Sequence, residues 1–212
     1  MMNSHIARIA AAALALAPIT AHAQGPAKPA QAQPAAPAGA SLDPRLKLKD
    51  GDRYLRDLSA ALEMPREEIC KELGQYDCFR DAFRIVLGGV DAANLGLNEP
   101  LAQEALTAPI ALDRVALHVC VNRVGKDLAD PAHAVLLKGV KGDARPSPAW
   151  MKRTANDIYG RILSRDPSPS ETAKLVAFYK TVEAQAPAGE RTKDWVALGC
   201  FAVASSVENV FY

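Results

Sequence analysis

Four cysteines stand at positions 70, 78, 120 and 200 of the 212-residue chain, and what they can do depends on the compartment in which the chain folds. The N-terminus speaks to that. "MMNSHIARIAAAALALAPITAHAQ" carries a short basic region with Arg8, an apolar run from Ile9 to Ile19, and Ala21-His22-Ala23 as an A-x-A cleavage site before Gln24. The apolar run is well short of the roughly 20 residues that a membrane span needs, so residues 1–23 read as a secretory signal peptide. No lipobox cysteine lies near the cleavage site, and the short apolar region fits export to a bacterial periplasm as a soluble protein with no stable membrane span after cleavage. An even number of cysteines in an oxidising compartment is expected to pair.

The spacing restricts which pairs form. In "CKELGQYDC", residues 70 to 78, an unbroken helix would hold the two α-carbons about 12 Å apart, too far for a disulfide. Gly74 between them permits a left-handed turn that folds the second half back on the first. Cys120 and Cys200 each fall on the apolar face of a predicted helix. Of the three possible connectivities, the sequence therefore favours Cys70 with Cys78 and Cys120 with Cys200. A chain-entropy treatment assigns about 2.6 kcal/mol to the short ring and about 4.5 kcal/mol to the long one.

Metal and redox roles find less support. After signal cleavage only His118 and His133 remain, and His118-Val119-Cys120 is an i, i+2 arrangement that splays across a helix. Neither C-x-x-C nor C-x-x-C-H occurs, which removes the thioredoxin-like and covalent-haem signatures. No G-x-S-x-G, phosphate-cradling glycine loop or H-E-x-x-H is present either. No cofactor, metal or catalytic residue is expected, and His118 reads as a boundary histidine on an apolar helix.

Residues 24–41, "QGPAKPAQAQPAAPAGAS", have almost nothing to bury and read as a disordered Pro/Ala linker. The remainder, 42–212, is the size of one ordinary domain. Without Arg8 the exported chain has 24 basic residues against 24 acidic ones, a balance that gives no warrant for a nucleic-acid partner.

Apolar periodicity from 42 onward is helical nearly throughout, so the expected fold is a single compact all-α domain of about seven helices. "GDRYLRDLSAALEM" places Tyr54, Leu55, Leu58 and Leu62 on one face. Pro65 opens "PREEICKEL", which Gly74 should end, and "YDCFRDAFRIVL" resumes with Phe79, Phe83 and Val86 in register until Gly88-Gly89. "IALDRVALHVCVNRVGKDL" sets Leu117, Cys120, Val121, Val124 and Leu128 at steps of three and four. Ser147 caps a helix begun by Pro148, with Met151, Ala155, Ile158 and Ile162 inward. Ser168 and Glu171 form a capping box before Leu175, Phe178 and Val182. A last helix from about Thr192 carries Val196, Cys200, Val203, Val207 and Val210. The span 147–212 is expected to form a C-terminal three-helix unit.

Between Gly88 and Pro109 no long periodic run occurs, apart from a short helix expected near Leu101 to Leu106. A loop of this length in a compact domain is more often functional than accidental. Asp91, Asn94, Leu97, Asn98 and Glu99 are its candidate interface residues, and their spacing matches no calcium loop.

"IYGRILSRDPSPSETAKLVAFYKTV" resembles the C-terminal module of cytochrome-associated domains of unknown function in bacterial envelope proteins of planctomycete type. The matching positions are Tyr159, Arg161, Leu163, Arg165, Pro167, Glu171, Phe178, Trp195, Leu198, Glu208, Phe211 and Tyr212. "YLRDLSAAL" is faintly similar to a segment that opens related proteins. Longer relatives are fused to haem domains, whereas this chain has no haem attachment site, and the resemblance supplies no catalytic residue. The expected function is that of an exported, non-catalytic protein that binds another envelope protein as adaptor, assembly or structural factor. The alternatives are an accessory to a periplasmic haem or redox system, or a small periplasmic hydrolase.

Overall fold

The computed structural model describes residues 47–91, 93, 95, 96, 98, 99, 107–139 and 145–212. The expected signal peptide, the Pro/Ala linker and the short helix near 101–106 lie outside the described residues. Within them the chain is all-α, with one two-stranded hairpin. The helices are α1 (Gly51–Ala61), α2 (Arg66–Ile69), α3 (Ala108–Ala129), α4 (Pro148–Leu163), α5 (Pro169–Gln185), α6 (Arg191–Ala204) and α7 (Val207–Val210). The hairpin pairs β1 (Lys71–Glu72) with β2 (Tyr76–Asp77).

Local signals start the helices. The Asp50 carboxylate accepts from the Arg53 amide at 2.7 Å to cap α1, and Ser147 caps α4 through the Trp150 amide at 3.2 Å, with Pro148 in the first turn. At α5 the capping box closes both ways: Ser168 Oγ accepts from Glu171 N, and Glu171 Oε2 accepts from Ser168 N. Each cap satisfies amides that the helix itself leaves without partners.

Helix α6 is buried on nearly every side and packs against α3, α4 and α5. Trp195 is fully buried, donates its indole N–H to the Leu175 carbonyl at 2.9 Å, and meets Trp150 and Tyr179 with ring centroids 6.0 and 6.2 Å away. Such tilted and edge-on contacts suit the ring quadrupoles. Gly199 lets α5 approach closely, since a Cβ there would lie 3.1 Å from Leu175 Cδ1. Val115, Val119 and Val124 of α3 and Leu58 of α1 complete the core.

A buried ion pair fixes the chain beyond α3. Arg123 and Asp127, one turn apart, meet at 2.8 Å, and the Asp127 carboxylate accepts from the Val135, Leu136 and Leu137 amides at 2.7–2.9 Å. Three amides and a guanidinium thus satisfy a charge that would otherwise be costly to bury. The chain ends meet as well: Lys47–Lys49 run antiparallel to 210–212, through Lys49 N to Val210 O at 2.8 Å and Lys47 N to Tyr212 O at 3.0 Å.

Three stretches differ from the sequence-based expectation. The second predicted helix ends at Ile69, because Cys70 is fully extended (φ −153°, ψ 127°). "YDCFRDAFRIVL" is not an α-helix: it begins as β2 and continues as a π-helical turn over Cys78–Ala82, where the Asp77 carboxylate accepts from the Phe79 and Arg80 amides. The final helix breaks at Ser205-Ser206, where Ser205 Oγ bonds back to the Phe201 carbonyl, an alternative to helical continuation that serine offers. Val207 therefore stands 68% exposed instead of joining the apolar face.

Candidate docking surface

The two disulfides join Cys70 to Cys78 and Cys120 to Cys200, with α-carbons 5.5 and 5.8 Å apart. All four side chains are buried, so both bonds brace the fold. The first closes the hairpin. Its turn carries positive φ at two consecutive residues, Leu73 (53°) and Gly74 (74°), with Gln75 N donating to Glu72 O at 3.0 Å. Consecutive positive φ is the geometry that matches strand twist in tight hairpins. Gly74 adopts it freely, whereas a leucine in that region costs on the order of 1–2 kcal/mol.

Leu73 gains nothing from local packing to offset that cost, because it is 84% exposed. Tyr76, three residues on, is 53% exposed. Beneath them the hairpin is held firmly. Arg114 of α3 grips Glu72 with Nε and one terminal nitrogen, each at 2.7 Å, and its guanidinium stands over the Phe83 ring at 5.9 Å. A two-point arginine clamp fixes orientation as well as position. It holds the Glu72 carboxyl below the usual carboxylate range, chiefly through these hydrogen bonds. One turn before Arg114 on α3, Ile110 is 60% exposed.

Of the interface residues proposed from sequence, Asn94 and Leu97 lie outside the described residues. Asp91 is half-buried and its carbonyl accepts from Leu95 N, while Asn98 and Glu99 are exposed. Leu95 is 63% exposed. The hairpin was missed as a surface feature because two-residue strands are too short to show alternation, although Gly74 between two cysteines did point to the turn.

Two open grooves lie elsewhere. One, of about 560 Å³, runs between α1, α4 and α7, with Lys49, Asp57, Arg161 and Glu208 on its walls. Its charges are already engaged: Lys49 with Asp57 at 2.7 Å, Arg161 with Glu63 at 2.8 Å, and Glu208 with Arg165. The other, of about 330 Å³, borders Trp150 and Arg153. Neither is lined by His118 or Asp91. Among the described residues no group of three or more His, Cys, Asp or Glu is placed to hold a metal, and no helix is long and apolar enough to cross a membrane.

The residues of the "YGRILSRDPSPSE" phrase converge on a joint between helices. Arg165 reaches Glu171 at 2.8 and 3.0 Å and Glu208 at 2.6 Å through two nitrogens, and stands 5.3 Å above the Tyr159 ring. It ties α4 to α5 and α7, holding the Glu171 carboxyl down at about 2, first through its own hydrogen bond and then through Ser168. These positions brace the fold. No family model, curated protein or solved structure matches the chain.

Proposed function

We propose that this chain is an exported, non-catalytic helical protein of the bacterial periplasm that binds another envelope protein, as an adaptor, assembly or structural factor. One observation carries the reading: a strained, almost fully exposed leucine and an exposed tyrosine stand on a hairpin that a disulfide and an arginine clamp hold rigid. Backbone strain persists where the surroundings over-determine it, and it concentrates at binding sites. Ile110, one turn before the clamping Arg114 on α3, is exposed as well. The partner it suits offers an apolar pocket for a turn-presented leucine with an aromatic beside it. Buried cystines suit an oxidising compartment, and the resemblance of the C-terminal phrase to envelope modules agrees with that location.

The test is site-specific photo-crosslinking in cells that export the protein. A photoreactive residue at 76 should give a discrete adduct that disappears with Leu73→Asp, while the same probe at exposed Lys174 gives none. Equal yields from 76 and 174, or an adduct indifferent to Leu73→Asp, would overturn the docking reading.

A further inference from the structure

The larger groove, about 560 Å³ between α1, α4 and α7, falls within the size range of small-ligand sites and shares no lining residue with the hairpin. Its charges engage one another only in part. Lys49, whose side chain is 11% exposed, pairs with Asp57 Oδ2 at 2.7 Å and donates to Asn209 Oδ1 at 3.3 Å, two partners for three N–H groups. Asn209 is buried and anchored through Nδ2 to the Ala204 carbonyl at 2.6 Å, which holds its oxygen in place. Arg161 makes both of its hydrogen bonds, to the Ala61 carbonyl and to Glu63 Oε1, through Nη1. Its Nε and Nη2 have no hydrogen-bond partner among the described residues, and neither is sealed from solvent. Asp57 makes its closest approach to Lys49 and Arg53 through Oδ2, which leaves Oδ1 for another donor.

We propose that this groove binds a small zwitterion with a short apolar body, of the amino-acid and short-peptide class. The lining carries two cations, Lys49 and Arg161, and two carboxylates, Asp57 and Glu208, beside an apolar stretch at Ala60, Ile162 and Leu163. A ligand of a single charge meets like charge on part of that lining, whereas one carrying both signs matches each. A carboxylate suits the spare guanidinium nitrogens of Arg161, with the free N–H of Lys49 beside them. An ammonium that bears N–H groups suits Asp57 Oδ1. Among the described residues no aromatic ring lines the groove, so a quaternary ammonium lacks the cage it prefers. The exposed Lys49–Asp57 and Arg161–Glu63 pairs are weak enough to share their charges with a ligand.

The test titrates the exported chain with dialanine and trialanine and follows backbone amide NMR shifts. Saturable shifts should appear at Ala60, Ala61, Ile162 and Leu163 at millimolar peptide or below. N-acetylated and C-amidated dialanine should each bind about tenfold or more weakly, the worth of one charge-assisted hydrogen bond. Ala60 is exposed on the groove wall, so Ala60→Trp should fill the groove and abolish binding with the circular dichroism spectrum unchanged. Absence of saturable shifts from both peptides, shifts confined to another face, or capped peptides that bind as tightly would overturn the proposal. So would undiminished binding by folded Ala60→Trp; were that variant unfolded, the shift map and the capped peptides decide on the unmutated chain. The hairpin takes no part in these measurements, so their failure leaves the docking reading standing.

Discussion

Replacing Cys120 and Cys200 by alanine removes the bond that ties α3 to α6, the two helices at the centre of the core. The pair lies 80 residues apart in sequence, against 8 for Cys70 and Cys78. Closing a loop of that length takes about 4.5 kcal/mol from the unfolded chain, whereas the short ring takes about 2.6 kcal/mol. All four cysteines are buried, so each double variant also deletes two packed sulfurs. That packing loss, roughly 0.5–1.5 kcal/mol per deleted group by analogy with a buried methyl, is similar for both and cancels in the comparison. The long bond should therefore exceed the short one by about 2 kcal/mol. With a urea dependence of about 2 kcal/mol per molar for a domain of this size, the two variants should separate by about 1 M in midpoint. Since total stability of a domain is about 5–15 kcal/mol, Cys120→Ala/Cys200→Ala should be marginally folded and Cys70→Ala/Cys78→Ala still well folded. Urea titrations followed by far-UV circular dichroism without reductant make the comparison. If the hairpin variant lost as much stability as the core variant, the reasoning from loop length would be refuted.

Asp127→Ala should cost about 3–5 kcal/mol in urea unfolding, because it strands the buried Arg123 guanidinium together with the Val135, Leu136 and Leu137 amides. Gly199→Val should cost about 1–3 kcal/mol by the same assay, since even the first added carbon would lie 3.1 Å from Leu175. Arg165→Ala should flatten the acid limb of the stability curve. Arg165 holds the Glu171 carboxyl near 2 against an ordinary 4.5, so its stabilisation is present above about pH 4.5 and fades as pH falls toward 2. Calorimetric Tm should fall less for Arg165→Ala than for the unmutated chain over that interval.

What was legible in the sequence was what a few neighbouring residues decide. The Ser147 cap and the Ser168–Glu171 box each close within four residues. The expected stripe of α3 was right only in part: Cys120 and Val124 are buried, Leu117 and Val121 half-buried and Leu128 exposed, while the core face runs through Ala111, Val115 and Val119. Segment 70–82 escaped as helix because a crosslink and a contact distant in sequence set its conformation. Helical spacing at Phe79, Phe83 and Val86 was real, yet the Cys70–Cys78 bond and the Glu72–Arg114 clamp, 42 residues apart, override a propensity worth only tenths of a kcal/mol per residue. The same holds for Asp127, whose burial depends on a guanidinium one turn back and amides that arrive after the helix has ended. At Ser205-Ser206 the valine spacing ran on, but the side-chain bond to Phe201 stopped the helix.

The hairpin's disulfide should contribute about 2 kcal/mol less to stability than the core bond, yet it bears more directly on binding. A partner that accepts Leu73 and Tyr76 needs the turn in one conformation, and fixing a residue's backbone costs about 1–2 kcal/mol. The ring meets that cost during folding, so it does not recur on association. Opening the ring frees the turn on one side while the Arg114 clamp still holds Glu72. Ordering two residues anew would cost about 2–4 kcal/mol, a loss of affinity of roughly thirtyfold or more. Cys70→Ala/Cys78→Ala should therefore remain folded and exported yet lose nearly all crosslinking from position 76. Cys120→Ala/Cys200→Ala, measured where it is still folded, should retain it despite the larger stability loss. The opposite ranking, with crosslinking tracking global stability, would show that the ring serves the fold alone.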